Sequence, residues 1–401
     1  MISVSEMMAK QFPITRKIKT FYEDRSGYRL NLVTDDISSN SLFGGVATAL
    51  IFASLLCEKN NWTLRLITRN NLCNLNDYFE FMRMVEIKTP KEVEMYSDVV
   101  FGGESFNRKL EIKKGDVFFA TSWWSAKSIM DSCITNRIIY ILQEVETFFY
   151  EYGDMRFLCD EIMKSYNIDF LINTKLLYDY LADNGYDNIK KNGKFFEPAF
   201  PKHIYYADIK RILNEKNEKH RLFFYGRPRN ARNLYYMGVR CLNRAILDGI
   251  IDTNIWDIYF AGKNDSEQFE FDNGYIPFFS NQLGWKEYAD FARKIDVSFS
   301  LMYTPHPSYP PFDMVSSGAI AITNEFGNKK NLHYSNNMIT KPLDEKAIVE
   351  GIEEAMKLAL DTEKRLENYN SGLISRNWED SFGELIDYFT TKIEGNEYVC
   401  Y

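Results

Sequence analysis

Histidine and proline are scarce in this 401-residue chain, and its cysteines are unpaired. Each shortage closes off a class of answer. The four histidines (His203, His220, His306, His333) stand too far apart for two of them to form a metal-binding pair on one helix. The six cysteines are spread singly with no Cys-x-x-Cys pair. That excludes a disulfide framework and a zinc site, and it fits a reducing, cytoplasmic setting. No apolar run approaches the ~20 residues that a bilayer span requires. Residues Met1 to Lys19 carry charges throughout, unlike the apolar core of a signal peptide. There is no basic run either. Lys and Arg number 48 against 56 acids, a net charge of −8, so nucleic acid is not an expected partner.

What remains is a globular composition, 45 % apolar and 26 % charged, which argues against disorder and fibres. Short runs rich in β-branched and aromatic residues (Tyr28–Thr34, Thr63–Thr68, Val117–Thr121, Ile138–Leu142, Phe170–Asn173) alternate with helix-period stretches (Val46–Lys59, Ala126–Cys133, Arg156–Ser165, Leu176–Asn184). This alternation predicts an α/β protein with a doubly wound parallel sheet. The pattern pauses in the polar stretch from Asn192 to Glu218 and then restarts. Strands are expected at Arg221–Tyr225, Ile255–Ala261, Val297–Met302 and Ala319–Thr323. Helices are expected at Asn233–Leu247, Trp285–Lys294, Glu345–Leu360 and Glu379–Ile393.

Ligands of such sheets bind beyond the carboxyl ends of the strands, so the residues just after each strand carry the information. Gly44 and Gly45 follow the first strand and open a helix, without the spacing of a dinucleotide fingerprint. Asp35-Asp36 reads as a turn. Arg227, Arg229 and Arg232 fall in one loop after a strand of the second half, and guanidinium groups match phosphate oxygens bidentately. Gly262 and Lys263 end the next strand. The run Pro305-His306-Pro307-Ser308-Tyr309-Pro310-Pro311-Phe312-Asp313 follows the one after, with a short helix ending at Ser316-Ser317-Gly318. In the first half, Trp123 and Trp124 stand at a strand end, where exposed rings stack on sugar faces and a buried pair would brace two layers. Gln143, Glu144 and Glu146 stand at another. At the start of the chain, Met7, Met8, Phe12, Ile14 and Ile18 with interspersed Lys and Arg suggest an interfacial helix or one packed on the first domain, interrupted by Pro13.

In these pieces, and in their order, the chain resembles the GT-B glycosyltransferases. It resembles in particular the bacterial rhamnosyltransferases that build rhamnan and S-layer glycans from dTDP-L-rhamnose. The likeness rests on Leu42–Leu50, Thr121–Trp124, Tyr140–Gly153, Glu197–Ala199, Tyr225–Leu234, Ser300–Gly318 and the helix opened by Trp378-Glu379. It implies two Rossmann-like domains facing across a cleft: residues 1–205 on the acceptor side and 206–375 binding the nucleotide sugar. A terminal helix, 376–401, would cross back to the first domain.

For the site, the resemblance implies that Arg227 and Arg232, with Lys286, flank the diphosphate of the donor. Arg229, Gly262, Lys263, Ser308 and Tyr309 join them in binding the nucleotide sugar, as do Gly44 and Gly45, and His306 meets its phosphate or ribose. Asp313 falls on the second acid of a Glu-x7-Glu element, which holds ribose or sugar hydroxyls, and Pro305 stands where the first acid would be. Gln143, Trp123 and Trp124 would meet the acceptor, and Glu144 or Glu146 would take its proton unless the reaction needs no protein base. No metal and no cofactor is expected, and the donor is dTDP-L-rhamnose or another nucleotide sugar. The acceptor is a glycan or lipid-linked glycan, which leaves contact with the inner face of the membrane and a homodimer open. A nucleotide-sugar 2-epimerase of the same fold and a non-catalytic glycan-assembly subunit are the alternatives.

Overall fold

Parallel strands need crossover connections, and strand–helix alternation supplies them twice in this chain. The computed structural model describes residues 2–38, 41–42, 44–98, 100–101, 104–105, 109–213, 219–261, 268–280, 283–398 and 400. Two compact units result, Met1–Pro198 with Trp378–Tyr401, and Ala199–Asn377. The first boundary lies ahead of the expected 205/206 because the segment after it belongs to the second unit. There the Phe200 N–H donates to the Ser375 carbonyl at 2.8 Å, and the Phe200 ring stacks on Phe312 at 5.2 Å.

In the first unit the helix α1 (Val4–Gln11) comes first, with a Ser3/Glu6 capping box and no buried residue. It stops at Phe12, ahead of Pro13. Phe12 and Ile18, rather than the helix, supply the buried contacts of this segment. The main sheet is formed by β1 (Arg29–Thr34), β2 (Thr63–Thr68), β3 (Val93–Ser97), β4 (Asp116–Ala120), β5 (Ile138–Leu142), β6 (Ile168–Asn173) and β7 (Gly193–Phe196), in the order β7-β6-β5-β4-β1-β2-β3. All pairings in it are parallel. Strands β1, β4, β5 and β6 are buried along their whole length, as expected of strands covered by helices on both faces. The crossovers include α2 (Gly45–Asn60), α3 (Leu75–Met84), α4 (Trp123–Asp131), α5 (Asp154–Met163) and α6 (Lys175–Asp183).

The second unit has its own parallel sheet: β8 (His220–Tyr225), β9 (Trp256–Ala261), β10 (Phe278–Ser280), β11 (Val297–Ser300), β12 (Ile320–Asn324) and β13 (Met338–Lys341), in the order β10-β9-β8-β11-β12-β13. Its helices are α7 (Tyr235–Leu247), α8 (Trp285–Ala292), α9 (Tyr309–Ser316), α10 (Glu345–Leu360) and α11 (Thr362–Asn370). Beneath this sheet the carboxylate of Asp296, fully buried, takes Arg211 at 2.8 Å and Arg365 at 3.0 Å.

The last helix, α12 (Trp378–Glu394), returns to the first unit. Trp378, Phe382, Ile386, Phe389 and Ile393 make one buried stripe at helical spacing. The stripe covers α2, which is apolar all round, with every residue from Ala47 to Cys57 buried. Phe52 of α2 meets Phe119 of the sheet on one side and Phe382 and Phe389 on the other, with ring centroids 5.1–5.7 Å apart. Beyond the helix, the Tyr398 hydroxyl and Lys392 both bond the buried carboxylate of Asp169 on β6, at 2.7 and 2.9 Å. Among the described residues no helix is long and apolar enough to cross a membrane.

Candidate active site

The strand order of the second unit reverses between β8 and β11, the place where a sheet of this kind receives its ligand. The chain leaves β8 through Gly226. A Cβ there would lie 2.5 Å from the Phe224 ring and 2.7 Å from that of Tyr235, so only glycine lets the turn pass this close. Arg227 follows, half-buried, and among the described residues its guanidinium makes no hydrogen bond or ion pair. Arg229 is exposed and Arg232 half-buried. The carbonyl of Arg232 accepts the Tyr303 N–H at 2.8 Å, which ties the arginine loop to the loop leaving β11.

That second loop is held from behind. The Asn324 side chain accepts the Met302 N–H at 2.7 Å and donates to the Met302 carbonyl at 3.1 Å. Lys329, fully buried, donates to the same carbonyl at 3.0 Å. The loop so fixed carries His306, whose Nδ1 accepts the Ser308 N–H at 3.1 Å. Burial, with Lys329 and Arg232 nearby, pushes the His306 imidazole down to about 3, so it is neutral at physiological pH. Ser308 adopts φ +69, the left-handed region, as it turns the chain into α9. A non-glycine residue held there stores ~1–3 kcal/mol of strain, which is common at ligand sites. Tyr309 opens α9 half-buried, and Lys286 is exposed in the first turn of α8. Gly262 and Lys263 lie outside the described residues.

Asp313 lies in the same part of the second unit. Its carboxyl is buried on α9, accepts the Tyr288 hydroxyl at 3.2 Å and bonds that of Tyr205. Burial outweighs both hydroxyls and pushes it up to about 8, so at neutral pH it is chiefly an uncharged acid.

In the first unit the strand order reverses between β1 and β4. Gly44, with φ +54, caps α2, and a Cβ on Gly45 would stand 3.0 Å from the Gln143 side chain. Gln143 Oε1 takes the Asn173 amide at 2.7 Å, while its Nε2 has no partner among the described residues. Trp124 is half-buried, and its indole N–H donates to both oxygens of Asp35 at 3.1 Å. Burial raises Asp35 above the usual aspartate value despite this bond and the nearby Arg69 and Arg16. Asp36 has the opposite bias. Donors from Ser41, Ser38, Cys73 and Asn71 outweigh its burial and hold it well below that value.

Three of the expected positions face inward. Trp123 is fully buried, with its indole on the Tyr150 hydroxyl at 2.8 Å, so it braces the layer and offers no face to a sugar. Glu146 is buried, and its carboxylate accepts the Trp123 main-chain N–H at 2.9 Å, at the positive end of α4. Glu144 is also buried, accepting the N–H of its own neighbour Val145 at 2.9 Å. Both carboxylates are thus engaged by main-chain N–H groups. Asp35, Asn324 and Lys329 are the residues that sequence reasoning missed. Asp35 had a signal, since it directly follows a strand at the reversal point. Lys329 had none, because a buried lysine in a short turn reads as a surface charge.

Comparison with known proteins bears on the family and the fold. Residues 29–174 match the family description "WsaF, N-terminal domain", and residues 220–353 match "WsaF, C-terminal domain", together more than half of the chain. The "O-antigen biosynthesis protein RfbC" of Myxococcus xanthus is 27 % identical over 214 residues, 52 % of this chain but only 16 % of that protein. Among solved structures, sucrose-phosphate synthase from Thermosynechococcus elongatus superposes with a TM-score of 0.58 at 10 % identity, covering 92 % of this chain and 100 % of the other. Anabaena HepE in complex with UDP-glucose gives 0.58 at 10 %, covering 91 % and 99 %. A glycosyltransferase from Rickettsia africae gives 0.56 at 10 %, covering 93 % and 100 %. At such identities the likeness is one of fold alone, and that fold is GT-B.

Proposed function

We propose, for a chain that belongs to the WsaF family of GT-B glycosyltransferases, that it transfers L-rhamnose from dTDP-β-L-rhamnose to a growing cell-surface polysaccharide or S-layer glycan. The observation that carries the donor site is Arg227, a half-buried guanidinium without a protein partner among the described residues, at the strand reversal of the second unit. With Arg232 and Lys286 it supplies positive charge to the departing nucleoside diphosphate, so the leaving group is stabilised without a metal ion. Asp313 serves as a neutral acid toward donor hydroxyls or as the support of α9. The rhamnosyl donor is favoured by the resemblance set out above, and a polysaccharide product by the name of the Myxococcus relative.

On the acceptor side Asp35 replaces Glu144 and Glu146 as the base. It lies at the strand reversal of the first unit, held by Trp124, and burial raises its proton affinity. Trp124 and Gln143 line the acceptor beside it.

Calorimetry with dTDP and UDP, with and without magnesium, tests the reading. Wild-type protein should prefer dTDP irrespective of metal, and Arg227→Ala or Arg232→Ala should weaken binding by ~1–3 kcal/mol. Unchanged affinity in both variants would put the diphosphate elsewhere, and a preference for UDP would keep the transferase and discard dTDP-rhamnose. Asp35→Asn keeps the Trp124 bond but cannot take a proton. It should lower kcat about 10²–10⁴-fold with donor affinity intact. The acid limb of the wild-type pH–rate profile should lie above the ordinary aspartate range, activity rising as Asp35 ionises.

A further inference from the structure

The first turn of α9 is a poor anion cradle by main chain alone. A helix N-terminus offers four free N–H groups, but here two of the four positions are Pro310 and Pro311, which have none. Ser308, the residue before the helix, makes no side-chain cap. The positive end of the helix dipole remains while half of its donors are gone.

His306 stands two residues ahead of that turn. It is 6 % exposed. Because Nδ1 accepts the Ser308 amide, the single proton of the neutral ring is on Nε2. That Nε2 is shut off from solvent and has no hydrogen-bond partner among the described residues. A buried donor without a partner is costly and uncommon in a folded protein, and the usual explanation is a ligand or an ordered water. The charged groups facing the ring are Lys329 from the turn behind the loop and Arg232 from the loop after β8. Both are cations, so the field at Nε2 favours an anionic acceptor over a neutral one.

We propose that His306 Nε2–H donates a hydrogen bond to a phosphate oxygen of the bound nucleoside diphosphate, doing the work of the main-chain amides that Pro310 and Pro311 remove. This rests on the donor site proposed above and assigns a further binding residue within it. The ring acts as a fixed uncharged donor; it neither gives up nor takes a proton during transfer. Arg232 and Lys329 supply the charge, and His306 supplies direction, which a point charge does not.

The test follows histidine ring ¹⁵N and ¹H resonances of the whole chain, with and without dTDP, alongside calorimetry of His306→Ala and His306→Gln. In the free wild type, the His306 signals should be those of the neutral Nε2–H form between pH 6 and 8. Saturating dTDP should move the Nε2–H proton downfield. His306→Ala should lose about ten- to a hundred-fold in dTDP affinity. His306→Gln, whose amide N–H reaches the position of Nε2, should recover most of it. Wild-type binding of dTDP with an unmoved Nε2–H signal and full affinity in His306→Ala would overturn this assignment and leave the donor site standing. A wild type that binds neither dTDP nor UDP would overturn the donor site, and this assignment with it. Should His306→Ala melt early, the wild-type spectra decide alone.

Discussion

A carboxyl group buried against tyrosine hydroxyls, as Asp313 is, depends on pH in the opposite sense to a carboxylate held by cations. The free side chain titrates near 3.9, and the folded one near 8. The stability Asp313 contributes is therefore fully present below the unfolded value and is lost as pH rises through about 8. Thermal melts from pH 5 to 9 should fall in the wild type and flatten in Asp313→Asn, which keeps the shape and neither gains nor loses a proton. Donor affinity should survive Asp313→Asn and drop in Asp313→Ala. Loss of turnover in the asparagine variant with an unchanged melting curve would mean that the charged form works after all. Asp36 and Asp296 behave the other way, each held low by its donors or cations, so their share of stability is lost on acidification. The sequence announces where these side chains sit along the chain but not which way they face. Arg227 and Arg229 differ by two positions and look alike in the sequence, yet one is half-buried and the other exposed. Trp123 and Trp124 are adjacent, yet the helix start at Ser122 turns one inward and leaves the other at Asp35.

At the scale of elements, the buried strands were legible because they are short runs rich in β-branched, leucine and aromatic residues. The edge strands were not. Val93–Ser97 is half-buried throughout, and Gly193–Phe196 falls inside the stretch that reads as polar connection. At an edge, one side of the strand has no neighbour to demand apolar residues. Helix α11 escaped for a related reason: its buried positions are the polar Arg365 and Asn368, and Arg365 bonds the Asp296 carboxylate. The terminal helix was readable from its stripe of large side chains at helical spacing. Phe382 is its centre, fully buried and touching Phe52, Phe196 and Trp378. Truncation to alanine should cost ~3–5 kcal/mol of stability, read by denaturant titration. A loss below ~1 kcal/mol would mean that α12 is not needed to close the first unit.

At the scale of the whole molecule, the first unit is assembled from both halves of the chain's order. Its sheet is complete by Phe196, but the helix that covers α2, and the Tyr398 hydroxyl that reaches Asp169, come after the whole of the second unit. On a ribosome adding ~5–20 residues per second, the apolar surface of α2 stays uncovered for on the order of ten seconds after its own strands have emerged. A released chain ending just before Trp378 should therefore be cut readily by a protease within the first unit, while the second unit resists. Resistance of both would show that the sheet holds without its cover. During synthesis the face of α2 that α12 covers is left open while the whole second unit is being made, which gives a chaperone a surface to hold until that helix arrives.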